Sequence, residues 1–216
     1  MSPNKKNKLS LDREYYNWYG FAKSYLEISR VACQYILDGE KEEQKRFRMF
    51  YLLVPIIYNI KHSIEVLLKS LRKAFIEKLT HDFKGHNIKQ IFDIFTRETN
   101  SKITKIKQYL KKNDIRKDDL LFLENFDNNI DMLKKTIDKY FHCNFIKNEV
   151  KNSFIIEDSN NTAFKYPDND ILVKLDYIKI INSTTTDDVE DFKSDIISLI
   201  KIMESIHWVL KAYDNI

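Results

Sequence analysis

Residues 55–75, with the sequence PIIYNIKHSIEVLLKSLRKAF, decide the fold class of this chain. Apolar residues recur in this stretch at intervals of three and four, which is the periodicity of an α-helix with one buried face. The apolar set is Ile57, Ile60, Ile64, Leu67, Leu68, Leu71 and Phe75. The polar residues that recur on the rest of the helix surface are Asn59, His62, Glu65, Lys69 and Arg72. The stretch therefore predicts a core helix that carries an acid, a base and an imidazole in register.

Composition extends the helical prediction to the rest of the chain. The 216 residues include only three Gly and three Pro, whereas long β architectures need more turn residues. A first helix is expected to end at Asp38–Gly39, where Gly39 can take the left-handed conformation, and Pro55 either kinks one long helix or opens the next. We expect an all-α, up-and-down helical bundle, with residues 11–216 as a single domain after a mobile basic tail, residues 1–10.

The remaining helices are predicted at the positions where helical periodicity resumes. The central helix is expected to reach about Leu79, followed by a short helix over residues 88–95 and a separate basic helix from Ser101. A long helix should start at Asp118 or Asp119. The closing helix should be capped by Thr186 or Asp187, with Glu190 placed to complete a capping box.

One segment departs from helical periodicity. Residues 153–181 contain β-prone runs separated by the turn-forming sequences EDSNN and FKYPDND. Short alternating runs between turn residues are typical of paired strands. We therefore expect a small β-hairpin or extended insert in this segment.

Charge and cysteine content limit the classes of function. A net charge of +4 is only mildly basic and does not mark a nucleic-acid-binding protein. Cys33 and Cys143 are the only cysteines and lack metal-ligand spacing, so neither a metal site nor a cofactor is predicted. The sequence has no apolar signal-peptide core and no run of about eighteen apolar residues. We expect a cytoplasmic protein without membrane association.

The central helix carries the best candidate for chemistry. His62, Glu65 and Lys69 are spaced to share one helix face, and Glu65 can pair with Lys69. His86, after the turn at Gly85, could return toward the same face. These groups could transfer protons, but a structural polar network that locks the helix to its neighbours is the favoured interpretation.

Two further surfaces have alternative interpretations. The basic helix and the insert supply four candidate phosphate-binding residues, although a solvated lysine face is the favoured alternative. These candidates are Lys102, Lys105, Lys112 and Lys165. The first helix is rich in aromatic residues, and we favour a core or dimer face there over a base-stacking surface.

Several stretches resemble the HEPN superfamily of helical proteins. PIIYNIKHSIEVLLKSL resembles its "haiElllKa" helix, and GHNIKQIF, residues 85–92, resembles its "gHdLxxL" segment. YYNWYGFAKSYLEISRVA resembles the opening helix, and FKYPDND resembles an "fRYP" segment. The resemblance implies an α-helical bundle, frequent dimerisation, and a setting in toxin–antitoxin, antiphage or RNA-processing systems.

The chain departs from the family's catalytic pattern. Many HEPN members are metal-independent ribonucleases with an Arg followed, after four to six residues, by His, and none of the seven Arg residues here has His at that distance. Two pairs replace Arg with Lys, which cannot bind phosphate bidentately. They are Lys135 with His142 and Lys201 with His207. They are therefore weak catalytic candidates.

Three functions follow from these observations. The first is a HEPN-like protein of a prokaryotic antiphage-defence or toxin–antitoxin type system. It would be a homodimer that binds a protein partner from a neighbouring gene, RNA or a nucleotide without catalysis. The second is a metal-independent endoribonuclease that acts as a dimer. The third is a structural subunit of a larger complex, with the aromatic first helix as its partner interface.

Overall fold

The computed structural model describes residues 13–75, 87–112, 125–142 and 177–214. In these ranges the chain forms α-helices connected by turns, and no strand occurs there. The helices are α1 (Arg13–Leu37), α2 (Glu42–Phe75), α3 (Ile88–Lys112), α4 (Phe126–Phe141), α5 (Tyr177–Ser183) and α6 (Thr186–Asp214). The predicted all-α class and the helical bundle are confirmed for the described residues.

Helices α1 and α2 form an antiparallel hairpin. Near its open end the Ser63 hydroxyl donates a 2.7 Å hydrogen bond to the Ala22 carbonyl. Near the turn the Arg48 guanidinium lies 4.1 Å from the centroid of the Tyr35 ring. A Cβ added at Gly39 would lie 2.8 Å from Cγ of Lys45. Gly39 is therefore required for space, and it does not adopt the left-handed conformation that a glycine allows there.

Helix α2 runs through Pro55 without a break. Pro55 lacks the N–H that would bond to the carbonyl of Tyr51, four residues earlier. Because Pro55 is exposed, water can reach that carbonyl instead. Of the two alternatives for Pro55, the structure shows one long helix, which continues to Phe75; residues 76–79 lie outside the described residues.

The C-terminal helix α6 packs antiparallel to both α1 and α4. Lys23 of α1 forms a 2.7 Å ion pair with Glu204, and Lys139 of α4 forms a 2.5 Å ion pair with Asp195. One face of α4 is buried, and Ile130 beside it is only partly buried. Its buried residues are Phe126, Leu133, Ile137, Tyr140 and Phe141. This face joins the core that α1, α2 and α6 share.

Two predicted helix boundaries are wrong. Helix α3 is one continuous helix, because Ile91, Phe95 and Ile103 are all buried and continue a single apolar face across the expected break. The cap of α6 lies one residue earlier than predicted, at Thr185. The Thr185 N–H donates to Oδ2 of Asp188 at 2.7 Å, and the Asp188 N–H donates to Oγ1 of Thr185 at 3.3 Å. Asp188 thus takes the role expected for Glu190.

The predicted β-insert is wrong where the structure describes it. Residues 177–181 belong to α5, where the side chains of Ile180 and Ile181 are buried. Burial of two consecutive residues does not fit the alternating pattern of a half-buried strand. Residues 153–176 lie outside the described residues.

One helix of the described chain passes the length and composition test for a membrane span. The stretch is Glu42–Leu71 of α2, and 61% of its most apolar window is buried inside the protein. Core helices of soluble proteins pass the same test. This result is therefore weak support for a membrane span.

Candidate functional site

The polar residues of the central helix meet at Glu65, whose side chain is 3% exposed. Its Oε1 accepts a 2.5 Å bond from Nζ of Lys69. Its Oε2 lies 3.7 Å from Nδ1 of His62. A buried carboxylate needs such partners because burial removes its hydration. The three residues therefore form one Glu65 network along a single face of α2.

Aromatic rings hold the imidazole of this network in place. The ring of Tyr58 stacks on His62 at a centroid distance of 5.4 Å, and the ring of Tyr25 from α1 meets it edge-on at 4.9 Å. The side chains of His62 and Lys69 are 28% and 24% exposed. A solute can therefore reach the imidazole and the amine, but the carboxylate between them is covered. This arrangement suits a link between α1 and α2 better than proton transfer to a substrate.

His207 lies in a cluster of tyrosines between α6 and α1. Its Nδ1 is 3.1 Å from the hydroxyl of Tyr15, and its ring stacks on Tyr19 at a centroid distance of 4.6 Å. Burial raises the pKa of Tyr15, so the hydroxyl keeps its proton and donates it to Nδ1. Burial, and then the charges of Lys211 and Lys23, lower the pKa of His207. The imidazole is thus neutral at pH 7.

Neither candidate Lys–His pair is in contact in the described chain. Lys201 is exposed on α6, six residues before His207, which places the two side chains on different sides of the helix. Lys135 is exposed on α4. His142 ends that helix, with Nε2 3.9 Å from Asp138. Lys201 and His207 therefore do not share one face of α6.

The candidate phosphate-binding residues do not form a described site. Lys112 is exposed at the end of α3. Lys107, on the same helix, is taken up by a 2.7 Å ion pair with Asp127 of α4. The side chains of Lys102 and Lys105 lie outside the described residues, as do Lys165 and His86.

An exposed apolar surface on the α1–α2 hairpin is the feature that the sequence left undecided. It consists of seven large side chains, each 45–65% exposed, and we call it the outer face. Its members are Phe21, Ile28, Val31 and Tyr35 of α1, and Phe47, Phe50 and Tyr51 of α2. The sequence contains a pattern that indicates this surface. Residues Phe21, Ile28, Val31 and Tyr35 form a second apolar stripe on α1, beside the buried stripe.

The two rows of the outer face lie on the same side of the hairpin. At 100° per residue, the α1 row is turned well away from Lys23 and Gln34, which contact α6. At the same 100° per residue, Phe47, Phe50 and Tyr51 of α2 point to the same side of the hairpin as the α1 row. Arg48 joins the rows: its guanidinium covers the Tyr35 ring, and its Nη1 donates a 2.5 Å bond to the Tyr35 carbonyl.

The rings on the α2 part of the outer face also contact one another, and the stretch of sequence that carries them contains little charge. Tyr51 meets Phe47 and Phe50 edge-on, at centroid distances of 5.0 and 5.2 Å. Arg48 is the sole charged residue in residues 47–60. The α2 part of the outer face is therefore a continuous aromatic surface rather than a set of isolated apolar side chains.

The described residues contain no group of three or more His, Cys, Asp or Glu side chains that could hold a metal ion. They do contain a covered polar network, a histidine enclosed by tyrosines, and a large uncovered apolar surface. No family model, curated protein or solved structure matches this chain.

Proposed function

We propose that this chain is a HEPN-like helical protein that acts by binding another protein, in a prokaryotic defence or toxin–antitoxin type system. The outer face is the observation that carries the proposal. Monomeric soluble proteins rarely expose contiguous apolar patches beyond a few hundred Å². With roughly 200 Å² for a whole large side chain, the seven half-exposed members present about 800 Å². Such a surface is typical of a protein interface.

The placement of the ionisable groups supports binding rather than catalysis. The Glu65 carboxylate is buried between its own partners, and His207 is occupied by the Tyr15 hydroxyl and tyrosine rings. A general base must reach the proton that it removes within hydrogen-bond distance. Glu65 instead pairs with Lys69 and lies beside His62 within α2, and His207 holds α6 against α1.

The order of the helices supports the HEPN-like part of the proposal. The three stretches that resemble the superfamily's opening helix, its "haiElllKa" helix and its "gHdLxxL" segment correspond to α1, α2 and the start of α3. The Glu and Lys of the second stretch, Glu65 and Lys69, form a 2.5 Å ion pair. This contact gives a physical reason for the spacing of the two residues.

An RNA assay tests the non-catalytic part. The purified chain is incubated in molar excess with single-stranded and hairpin RNA at neutral pH in the presence of a chelator. We expect the RNA to remain intact. Cleavage that disappears in His142→Ala or His207→Ala would overturn this part, because it would assign one of these imidazoles to the reaction.

Sedimentation of the purified chain tests the binding part. It is run alone and after co-expression with the product of a neighbouring gene. We expect a complex that contains more than one protein chain in at least one of the two samples. A lone monomer in both samples would contradict the proposed function.

A further inference from the structure

We propose that the partner of the outer face is an amphipathic helix of another protein, with acidic side chains beside its apolar stripe. This helix lies along the groove between α1 and α2, and its carboxylates meet Arg48, His62 and Lys69 of α2. The inference rests on the proposed function, because it names the chemistry of the partner that this function requires.

The charges along α2 are the first observation that selects an acidic partner. Residues 47–71 contain three basic residues, Arg48, Lys61 and Lys69, and one acid, Glu65. The side chain of Glu65 is 3% exposed, and Lys61 is fully buried. By contrast, the side chain of Lys69 is 24% exposed and Arg48 is partly exposed. The charged side chains that solvent reaches in this part of α2 are therefore basic.

Helix α1 adds no charge to this side of the hairpin. In residues 15–37 the charged side chains are Lys23, Glu27 and Arg30. At 100° per residue, Lys23 and Arg30 point well away from the α1 row. Lys23 pairs with Glu204 of α6, and Glu27 pairs with Arg30. The outer face is thus an apolar surface whose α2 edge is basic, and a partner with acidic groups beside its apolar residues complements both parts.

The basic groups lie where a helix between the two rows can reach them. The imidazole of His62 meets the ring of Tyr25 at the line where α1 and α2 join. Nearer the turn, the Arg48 guanidinium lies over the Tyr35 ring on the same line. Between these two points α1 carries Ala32, which is small and partly buried, so the middle of the hairpin is lower than its two apolar rows. Amphipathic helices bind in grooves of this kind.

The length of the outer face matches a helix of about four turns. The α1 row runs from Phe21 to Tyr35, which is roughly 21 Å at a rise of 1.5 Å per residue. A partner helix of about 15 residues covers this distance and places apolar side chains over the row at intervals of three and four. At the turn end, Glu43 is exposed one turn before Phe47. The acidic residues of the partner therefore belong toward the other end of the hairpin.

Nucleic acid and lipid fit the outer face less well than an acidic helix. Bases stack on open ring faces, but here His62 stacks on Tyr58 and the Arg48 guanidinium occupies one side of Tyr35. Lipid-binding helices carry a predominantly basic polar face, whereas this edge has few cations. Arg48 and Lys69 are moreover held by hydrogen bonds to acceptors within the chain. Cations held in fixed positions suit directional bonds to the carboxylates of a folded partner.

Two synthetic peptides test the charge of the partner. Both are helical peptides of about 15 residues with the same leucine stripe, and the remaining surface positions carry Glu in one peptide and Lys in the other. Fluorescence anisotropy of each labelled peptide, titrated with the purified chain, gives its dissociation constant. We expect the Glu peptide to bind at least tenfold more tightly than the Lys peptide, and high salt to reduce this difference.

Variants of the chain locate the binding and its charge preference. Arg48→Glu should weaken the Glu peptide at least tenfold and strengthen the Lys peptide, while Arg48→Gln, which only removes the charge, should lie between. Lys201→Glu is the matched control, because Lys201 is exposed on α6, and it should keep the wild-type preference. Ile28 is 58% exposed in the α1 row, so Ile28→Asn should weaken both peptides at least tenfold. Circular dichroism should show unchanged helix content in all four variants.

The outcomes separate this inference from the proposed function. Equal binding of the two peptides, tighter binding of the Lys peptide, or no binding would overturn the acidic helix as the partner. Binding that Ile28→Asn leaves unchanged would overturn it as well. The proposed function would still stand if a neighbouring gene product forms a complex in the sedimentation experiment. Flotation with vesicles of phosphatidylcholine and phosphatidylserine, or binding of oligouridylate, that is lost in Ile28→Asn would assign the outer face to lipid or to RNA instead.

Discussion

The two halves of α2 reverse the usual relation between charge and burial. Residues 47–58 contain one charged residue, Arg48, yet Phe47 and Tyr51 are 65% and 59% exposed. Residues 60–71 contain Lys61, Glu65 and Lys69, yet nearly every side chain there is buried. The apolar half thus keeps a row of exposed rings beside its buried residues, whereas the charged half lies almost wholly inside.

The difference shows that neighbouring helices, rather than polarity alone, decide what is buried. The charged half is covered by α1, through Tyr25, and by α4, where the ring of Phe141 lies 4.9 Å from Nζ of Lys61. Its polar groups find partners within the chain. In the apolar half, the side chains of Phe47 and Tyr51 stay mostly exposed in the described part of the chain.

Removing one member of the Glu65 network should give the largest effect. Lys69→Met leaves the carboxylate buried without its nearest cation, and we expect a loss of about 3 kcal/mol in the free energy of unfolding. Urea denaturation at pH 7 measures this loss. Lys69→Arg is the control that keeps the charge. The double variant Glu65→Leu/Lys69→Met should lose less than the single variant, because no uncompensated charge remains.

A pH series tests the histidine that α6 buries against α1. The pKa of His207 is lowered from 6.5 in the folded chain, so the unfolded chain takes up the proton first. The stabilisation is complete above about pH 6.5. It is lost as the pH falls toward the folded pKa. Urea midpoints should fall more steeply below pH 6.5 for the wild type than for His207→Phe, and His142→Gln should keep the wild-type slope.

The same substitution at two glycines should have opposite effects. Gly20 faces open space, so Gly20→Ala should stabilise the single chain by about 0.5–1 kcal/mol through helix propensity. At Gly39 the new Cβ would meet Lys45 and the Ile36 carbonyl, so Gly39→Ala should destabilise. Thermal unfolding of the two variants compares the effects. Equal shifts would contradict the described turn.

The smallest effect on stability is expected on the outer face itself. Phe21 is 62% exposed, so Phe21→Gln should change the unfolding free energy of the monomer by less than about 0.5 kcal/mol. Dilute urea denaturation is the measurement, since association adds stability at higher concentration. A loss above 2 kcal/mol would mean that the chain covers this ring itself.

Periodicity predicted the helices because core burial follows single helix faces. The apolar stripe of α2 gave its core side directly, and the Glu65–Lys69 spacing predicted a local contact that needs no tertiary information. The predictions failed where packing against other helices decides the secondary structure. Burial of Ile103 keeps α3 continuous, and burial of Ile180 and Ile181 places them in a helix although their local sequence is β-prone.

The aromatic residues of α1 show the limit of sequence patterns for function. Tyr15 is fully buried and Phe21 is mostly exposed, although both belong to the same apolar-rich helix. A pattern identifies a second stripe but cannot say which stripe another helix of the chain will cover. The contacts of His207 could not be predicted from the sequence either, because its partner Tyr15 lies 192 residues away in the chain.

The order of contacts along the chain has a consequence for folding. The bond from Ser63 to Ala22 joins residues 41 apart, whereas the ion pair from Lys23 to Glu204 joins residues 181 apart. Short loops close at a lower entropic cost and sooner than long ones. We therefore expect the hairpin to form early during synthesis, before α6 can dock. The outer face is then complete on the nascent chain, which makes it the segment most in need of a chaperone or an early partner.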